Sequence, residues 1–213
     1  MNKVIEVKHP LVTHKLSIMR NKKTSTSEFR QLTFEITSLL TFEATKHFEM
    51  ESVKISTPVC DTQNQKCSGK KPAVISILRA GNGMLEGMLS VMPSARVGFV
   101  GLERDEETLK PRQYYYKVPQ NMDERNVIVV DPMLATGGSA VSALNLLKKE
   151  NPKSITFVCL VAAPEGIKAL QTAHQNVDIV VASIDEKLNK NGYIVPGLGD
   201  AGDRIFGTLK KEK

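Results

Sequence analysis

The stretch from Val127 to Ala140 constrains the fold more than any other part of the chain. It reads Val-Ile-Val-Val-Asp-Pro-Met-Leu-Ala-Thr-Gly-Gly-Ser-Ala. The apolar, β-branched start predicts a buried strand over 126–131, and a helix is predicted over 138–149. The first N–H groups of a helix point outward at the positive end of its dipole, so such a turn can hold a phosphate. This order of strand, carboxylate, small-residue turn and helix predicts an α/β protein with an anion site at a strand end.

The acid in this stretch, Asp131, points to the second half of the ligand. A carboxylate repels a phosphate unless a metal lies between them, but it accepts hydrogen bonds from sugar hydroxyls. A phosphate beside a diol is a ribose 5-phosphate. Another interpretation stays open at this point: an ordinary strand-to-helix turn in which Thr136 or Ser139 is the N-cap. The stretch is not a P-loop, because the Gly-Lys-Ser/Thr ending is missing.

The rest of the chain alternates between predicted strands and helices from residue 73 to 183. This alternation favours a parallel sheet with right-handed crossovers. Upstream, amphipathic helices are predicted over 9–20 and 26–49, followed by a strand over 53–57 and a polar turn over 60–71. The predicted sheet strands cover 73–78, 96–102, 126–131, 154–162 and 177–183.

Two arginines follow predicted strands. Arg79 comes directly after the apolar strand 73–78 and precedes Gly81, and Arg104 lies where strand 96–102 gives way to a charged hairpin arm. Open α/β sheets bind ligands at the carboxyl ends of their strands. Both side chains are therefore candidates for contact with an anionic ligand.

A glycine-rich tail, Gly197-Leu-Gly-Asp-Ala-Gly202, follows the last predicted strand. It imitates a dinucleotide-binding motif, but only eleven residues follow Gly202, too few for a βαβ unit. Backbone groups in such a loop can read the edge of a planar ligand, and Asp200 adds a carboxylate that Mg²⁺ or water could use. An ordinary surface turn is the other interpretation.

Composition narrows the class of partner. The net charge of +6 fits a nucleic-acid partner, an enzyme for anionic small molecules, or only a basic surface. The basic residues are spread along a chain that has no tryptophan, which favours a phosphorylated small molecule. No apolar run approaches the ~20 residues of a membrane span. Three cysteines give no disulfide framework, so a reducing, cytoplasmic location is expected.

Together these segments resemble the uracil phosphoribosyltransferase family over nearly the whole chain. The resemblance rests on Lys8–Val12, Ile77–Gly81, Glu106–Thr108, Val130–Ser139, Val161–Gly166 and Gly192–Asp203. It implies an α/β fold of the phosphoribosyltransferase type I kind, with a central, mostly parallel sheet flanked by helices. The single domain 1–213 would comprise an N-terminal helical segment (about 1–50), a core (about 51–185) with a β-hairpin arm (about 103–120), and a base-binding hood (about 186–213).

The resemblance also implies a glycosyltransferase that makes UMP and diphosphate from uracil and 5-phosphoribosyl 1-diphosphate (PRPP) in pyrimidine salvage, with Mg²⁺. Arg79, Arg104 and Asp200 would be catalytic, and Asp200 would also be a metal contact together with the diphosphate of PRPP. The residues implied to bind PRPP are Arg79, Arg104, Asp131, Pro132, Met133, Leu134, Ala135, Thr136, Gly137, Gly138, Ser139 and Asp200. Those implied to bind uracil are Ile194, Gly199, Asp200 and Ala201.

The resemblance also implies two properties that some members of the family have: activation by GTP and assembly as a homodimer or homotetramer. No nucleic-acid or membrane partner is expected. Asn82 departs from the family, which more often has an apolar residue there. Two alternatives compete with this function: a non-enzymatic regulator that binds a nucleotide and then RNA, and a purine phosphoribosyltransferase. The glycine-rich tail disfavours the second.

Overall fold

The apolar runs of the sequence form one eight-stranded sheet, and two small two-stranded sheets lie outside it. A computed structural model describes residues 3–104 and 111–208, without the side chains of Arg104 and Pro111. The strands are β1 (Val4–Glu6), β2 (Met50–Ser56), β3 (Asp61–Cys67), β4 (Ala73–Leu78), β5 (Arg96–Arg104), β6 (Pro111–Lys117), β7 (Asn126–Val130), β8 (Met133–Leu134), β9 (Ser154–Ala162), β10 (Val177–Ile184), β11 (Lys187–Leu188) and β12 (Ile194–Val195). The α-helices are α1 (Pro10–Arg20), α2 (Thr26–Ala44), α3 (Leu85–Val91), α4 (Gly138–Leu147), α5 (Pro164–Ala173) and α6 (Ala201–Phe206).

The order of strands in the sheet fixes where a ligand can bind. The order is β1-β10-β9-β7-β4-β5-β6, parallel except for the β5–β6 pair, and β8 joins β9. The chain passes from β4 to β5 on one side and later places β7 on the other side of β4, so the winding direction reverses between β4 and β7. Ligands of open α/β sheets bind at such a reversal. The predicted fold class is confirmed.

Helices cover both faces of the sheet. One core lies between the sheet and α1, α2, α3 and α6, and the other lies between the sheet and α4 and α5. Alternate residues of β9 point to opposite faces: Val158 and Leu160 join the first core, whereas Phe157 and Cys159 join the second. Burial on both sides explains why the central strands read as continuous apolar runs.

Helix boundaries follow the caps. Ser25 is the N-cap of α2, and its hydroxyl accepts a hydrogen bond from the backbone N–H of Glu28 at 3.2 Å. The helix ends at Ala44, five residues before the predicted end, because the chain must turn into β2. A 3-10 helix over Ala80–Met84 leads directly into α3.

The predicted polar turn over 60–71 is wrong. Asp61–Cys67 form β3, which pairs with β2 in an antiparallel ribbon from Met50↔Cys67 to Ser56↔Asp61. Nearly all side chains of this ribbon are exposed on both faces. Since neither face is buried, β3 carries no alternation of apolar and polar residues that would indicate a strand.

The two ends of the main sheet come from segments that the sequence assigned to an N-terminal helical region and a hairpin arm. β1 pairs in parallel with β10, with Val4 opposite Ile179. β5 and β6 are antiparallel neighbours, and residues 105–110, including Glu106–Thr108, lie outside the described residues.

In the described ranges no helix combines the length and apolar character needed to cross a bilayer.

The packing of α4 gives a test of this architecture. Leu144 is fully buried on α4, whereas Leu11 on α1 is 52% exposed. We expect Leu144→Ala to lower the free energy of unfolding by about 2–5 kcal/mol, because it leaves a cavity in the core. Leu11→Ala, the matched control, should change it by no more than about 0.5 kcal/mol. Urea denaturation measures both, and equal losses would contradict this placement of α4.

Candidate active site

Two loops touch where the winding of the sheet reverses. One is the arginine loop, residues 79–84 after β4; the other is the phosphate loop, residues 131–138 after β7. A Cβ on Gly81 would overlap the carbonyl oxygen of Val130 and lie 3.0 Å from Ser76 Oγ. Only glycine allows this approach. The structure therefore brings Arg79 and Asp131 to the same end of the sheet.

The glycine-rich tail closes over these loops from a third side. We call residues 186–208 the hood. Positions where a Cβ would touch neighbours show its placement: Gly192 would lie 3.9 Å from Thr136 Cγ2, and Gly202 would lie 3.7 Å from the Cβ of Ala80. The hood thus borders both the phosphate loop and the arginine loop. All three predicted binding segments are therefore neighbours at the same end of the sheet.

The phosphate loop is fixed by a strand pairing at its start and ends at a helix that no side chain caps. Its start, β8, pairs with the end of β9, with Met133 opposite Val161. Gly137 is the N-cap of α4 with φ of 83°, and no side chain caps the helix. The alternative of Thr136 or Ser139 as N-cap is wrong. The first N–H groups of α4 therefore have no side-chain acceptor, which is the arrangement that suits an anion.

Helix α5 supports the phosphate loop from behind. A Cβ on Gly166 would overlap the carbonyl oxygen of Ala135 and lie 2.5 Å from that of Leu134. A larger residue would displace the loop. The sequence marks Gly166 only as part of a motif, because the contact joins segments about 30 residues apart and local patterns do not report it.

Asp131 is a half-buried carboxyl with little hydrogen bonding from the protein. Its Oδ1 accepts one long hydrogen bond, 3.4 Å, from the N–H of Met133. Desolvation by the surrounding protein raises the pKa of Asp131 to about 7, and this hydrogen bond only partly opposes the shift. Burial, and then the charge of Asp131, raises the pKa of the nearby Cys159 thiol. A carboxylate so short of donors is well suited to accept them from the two hydroxyls of a sugar.

The two predicted arginines differ in how much of them is described. The Arg79 side chain is 64% exposed and its Nη2 lies 3.9 Å from Asp203 Oδ1, a long, weak ion pair. Its guanidinium is therefore accessible to a ligand. Arg104 ends β5, next to β4 in the sheet, and its side chain lies outside the described residues.

The hood contributes mainly backbone groups. Ile194 and Ala201 are buried. Gly199, with φ of 80°, and Asp200 are exposed. Asp200 is the N-cap of α6, and its Oδ1 accepts a hydrogen bond from the N–H of Asp203 at 2.8 Å. The predicted uracil contacts thus lie on β12, on the turn that follows it and on the first residue of α6.

Two further arginines, neither of which the sequence predicted as a contact of the hood, hold the hood from its protein side. Arg20 pairs with Asp185, and Arg204 donates to the carbonyl of Leu198. Arg20 and Asp185 are 165 residues apart in the chain, and Arg204 also donates to the carbonyl of Asn21, 183 residues away. Sequence patterns do not report such contacts.

A protein-only metal site is not found in the described ranges, where no group of three or more His, Cys, Asp or Glu side chains is placed to hold an ion. Asp200 places an exposed carboxylate in the hood. Mg²⁺ is commonly held by one or two carboxylates together with phosphates of the substrate and water. The residues present therefore fit a Mg²⁺ ion that arrives with a diphosphate.

Comparison with known proteins agrees with this geometry. The family model for uracil phosphoribosyltransferase matches residues 6–208. Proteins named uracil phosphoribosyltransferase from Clostridium botulinum (strain Eklund 17B) and Clostridium acetobutylicum are 59% and 56% identical over 208 residues, covering 98% of this chain and all of each relative. A solved structure from Aquifex aeolicus has a TM-score of 0.90 at 39% identity, covering 95% of this chain and 97% of the other. A Bacillus anthracis hypoxanthine-guanine phosphoribosyltransferase shares the fold, with a TM-score of 0.53 at 16% identity over 75% of this chain and 82% of the other.

The raised pKa of Asp131 gives a test through stability. Its folded pKa of about 7 exceeds the ordinary 3.8, so the folded state binds more protons between these values and loses stability as pH rises through them. Asp131→Asn removes the free-energy cost of burying the charged carboxylate at high pH. We expect the variant to melt several degrees above wild type at pH 8, since about 1 kcal/mol shifts the melting temperature by about 2–4 °C at this size.

This gain should shrink as the pH falls toward 4, where the wild-type carboxyl is protonated in both states. Asp123→Asn, at an exposed position, is the control and should show no such trend. Thermal melts at a series of pH values measure the difference. A gain that is constant with pH would mean that Asp131 is not desolvated.

Proposed function

Because this chain belongs to the uracil phosphoribosyltransferase family, we propose that it transfers the phosphoribosyl group of PRPP to uracil, giving UMP and diphosphate in pyrimidine salvage. Within this class of enzyme, a glycosyltransferase, the site must hold a sugar phosphate, a diphosphate and a flat base together. The observation that carries the proposal is the close approach of the phosphate loop, the arginine loop and the hood at one end of the sheet.

The sugar-phosphate half of PRPP is assigned to the phosphate loop. The 5-phosphate accepts hydrogen bonds from the N–H groups at the start of α4, and the ribose hydroxyls donate to Asp131. The uncapped helix and the donor-poor carboxyl support these assignments. The proposed PRPP contacts in this loop and at the start of α4 are Asp131, Pro132, Met133, Leu134, Ala135, Thr136, Gly137, Gly138 and Ser139.

The diphosphate half is assigned to Arg79 and Arg104. As the bond between the anomeric carbon and the diphosphate breaks, negative charge grows on the leaving group and positive charge on the sugar ring. Fixed cations stabilise that separation more than they stabilise bound PRPP, so they accelerate the reaction. The exposed guanidinium of Arg79, at the same sheet end as the phosphate loop, supports this role.

Uracil is assigned to the hood, with contacts at Ile194, Gly199, Asp200 and Ala201. A backbone edge supplies both donors and acceptors without charge, and this matches the neutral edge of a pyrimidine. Anchoring of the 5-phosphate by α4 holds the anomeric carbon in line with the base, which lowers the entropic cost of reaction.

Mg²⁺ is proposed as a cofactor that binds with PRPP, with Asp200 as its protein contact. When bound, it would neutralise charge on the diphosphate. Asp200 is also a candidate for hydrogen bonding to the base. If Asp200→Asn keeps full turnover at saturating uracil and PRPP, Asp200 has no catalytic role.

Diphosphate release in a mixture of the protein, Mg²⁺, uracil and PRPP tests the proposed function. Release that needs all components, with UMP as product, is the expected result. Replacing uracil by hypoxanthine or adenine tests the purine alternative, and RNA binding without release would support the regulator. The free α4 terminus and complete hood favour the enzyme.

A homo-oligomer, a dimer or tetramer, is also proposed. An isolated two-stranded ribbon is only marginally stable in water, yet β2 and β3 project with Met50, Ile55 and Val59 exposed. A second copy of the chain against this ribbon would bury these side chains. Light scattering of the purified protein gives the mass of the assembly.

Two further proposals rest on the family resemblance: activation by GTP and a cytoplasmic location. The unpaired state of Cys60, Cys67 and Cys159 supports the second, since an oxidising compartment favours disulfides. The rate of UMP formation with and without GTP tests the first.

The role of Arg79 gives a sharp kinetic test. We expect Arg79→Ala to lower kcat by about 10²–10³-fold, as for loss of an electrostatic stabiliser of the transition state. The matched control is Arg96→Ala, because Arg96 is an exposed arginine at the opposite end of the neighbouring strand. Steady-state kinetics should show nearly wild-type kcat for the control. A higher KM with unchanged kcat in Arg79→Ala would contradict a transition-state role.

A further inference from the structure

We propose that Arg20 and Asp185 are positioning residues for the base: together they hold the hood turn, Ile194–Asp200, in the shape that receives uracil. The inference rests on the proposed function and names the residues that set the geometry of its base site. Neither residue belongs to the predicted contacts with uracil or PRPP.

Arg20 is the last residue of α1, and its guanidinium reaches across to the hood. Nη1 donates to Asp185 Oδ2 at 2.7 Å and to the carbonyl oxygen of Gly197 at 2.7 Å. Nη2 donates to Asp185 Oδ1 at 2.5 Å and to Ser183 Oγ at 3.1 Å. The guanidinium thus makes two hydrogen bonds to the carboxylate and one further hydrogen bond to the backbone of the hood.

Asp185 completes the hold on the same residue. Its Oδ2 accepts a hydrogen bond from the N–H of Gly197 at 2.8 Å. The ion pair therefore binds both backbone groups of Gly197, the N–H through Asp185 and the C=O through Arg20. Gly197 has φ of 64°, and a Cβ there would overlap the carbonyl oxygen of Ile194, so the turn is tight at the point where it is held.

Arg204 fixes the next carbonyl along the hood. Its Nη1 donates to the carbonyl oxygen of Leu198 at 2.8 Å, its Nη2 donates to that of Asn21 at 2.6 Å, and the guanidinium lies 4.4 Å from the centre of the Phe29 ring. Two consecutive carbonyls of the turn thus point toward the protein. Because each trans peptide unit is planar, these contacts also direct the N–H groups of Leu198 and Gly199 away from the two arginines.

The burial of the pair favours positioning over simple stabilisation. The Asp185 side chain is 2% exposed and that of Arg20 is 21% exposed. In a buried ion pair the attraction between the charges is largely offset by the cost of removing them from water, so the pair often adds little net stability. Its directional hydrogen bonds nevertheless select one conformation. Burial opposes ionisation of Asp185, but hydrogen bonds from Arg20 and Gly197 bring its pKa below the ordinary value, so the carboxylate stays charged at neutral pH.

The experiment compares the KM for uracil with the KM for PRPP in Arg20→Gln, Arg20→Lys and Asp185→Asn. The matched control is Lys15→Gln, which removes another ion pair from α1, the 2.5 Å contact of Lys15 with Glu35, without touching the hood. We expect Arg20→Gln to raise the KM for uracil about 10- to 100-fold, since buried groups lose their partner. The KM for PRPP should stay within about threefold, because the phosphate loop has separate supports.

Arg20→Lys keeps the charge but cannot make the forked contact, so its KM for uracil should lie between those of wild type and Arg20→Gln. A merely structural role would raise both KM values together or lower the amount of active enzyme alone. Either result, or an unchanged KM for uracil, would overturn the proposal. An equal effect of Lys15→Gln would overturn it as well.

Two arms keep the outcomes distinct. If Arg20→Gln does not fold, the folded Arg20→Lys decides alone: a raised KM for uracil supports the proposal and an unchanged one overturns it. Wild-type protein that releases no diphosphate with uracil would refute the proposed function itself. Failure of the Arg20 inference requires an active wild type.

Discussion

The uncapped start of α4 is the interaction site on which the rest of the structure depends. Gly137 leaves the first N–H groups of the helix without a side-chain acceptor, and the sheet places Asp131 and the arginine loop beside them. A protein gains nothing in stability from unsatisfied donors and a desolvated carboxyl. Both features suit the ligand proposed above, in which a phosphate and the hydroxyls of a ribose would supply the partners.

The surrounding fold compensates for these unfavourable groups by rigid support. β8 ties the phosphate loop to β9, and Gly166 lets α5 pack directly against the loop backbone. β4 and β7, which precede the two loops, are almost entirely buried, so the ends of the loops are held by closely packed strands. Binding energy can then serve alignment of the reacting atoms, because little is used to order the loops.

Much of this arrangement follows from sequence because it is local. The strand, acid, glycine turn and helix between Val127 and Ala140 lie in one continuous segment, and their physical roles can be assigned from residue type and spacing. The β2–β3 ribbon could not be predicted, since its polar strands bury no face. Arg20 and Asp185 escaped for another reason: they are 165 residues apart, and a pairing over that distance leaves no periodic or compositional signal. Thr136 and Ser139 are credible caps by residue type, but Gly137 takes the position by its positive φ.

The separate anchoring of the hood has a consequence for how such enzymes diverge. Its turn is held by α1 and by Asp185 after β10, whereas the phosphate loop is supported by β7, β9 and α5. Mutations that change the hood turn therefore leave the contacts that support the phosphate loop in place. A lineage can therefore drift toward a different nucleobase while its grip on the activated sugar is inherited unchanged.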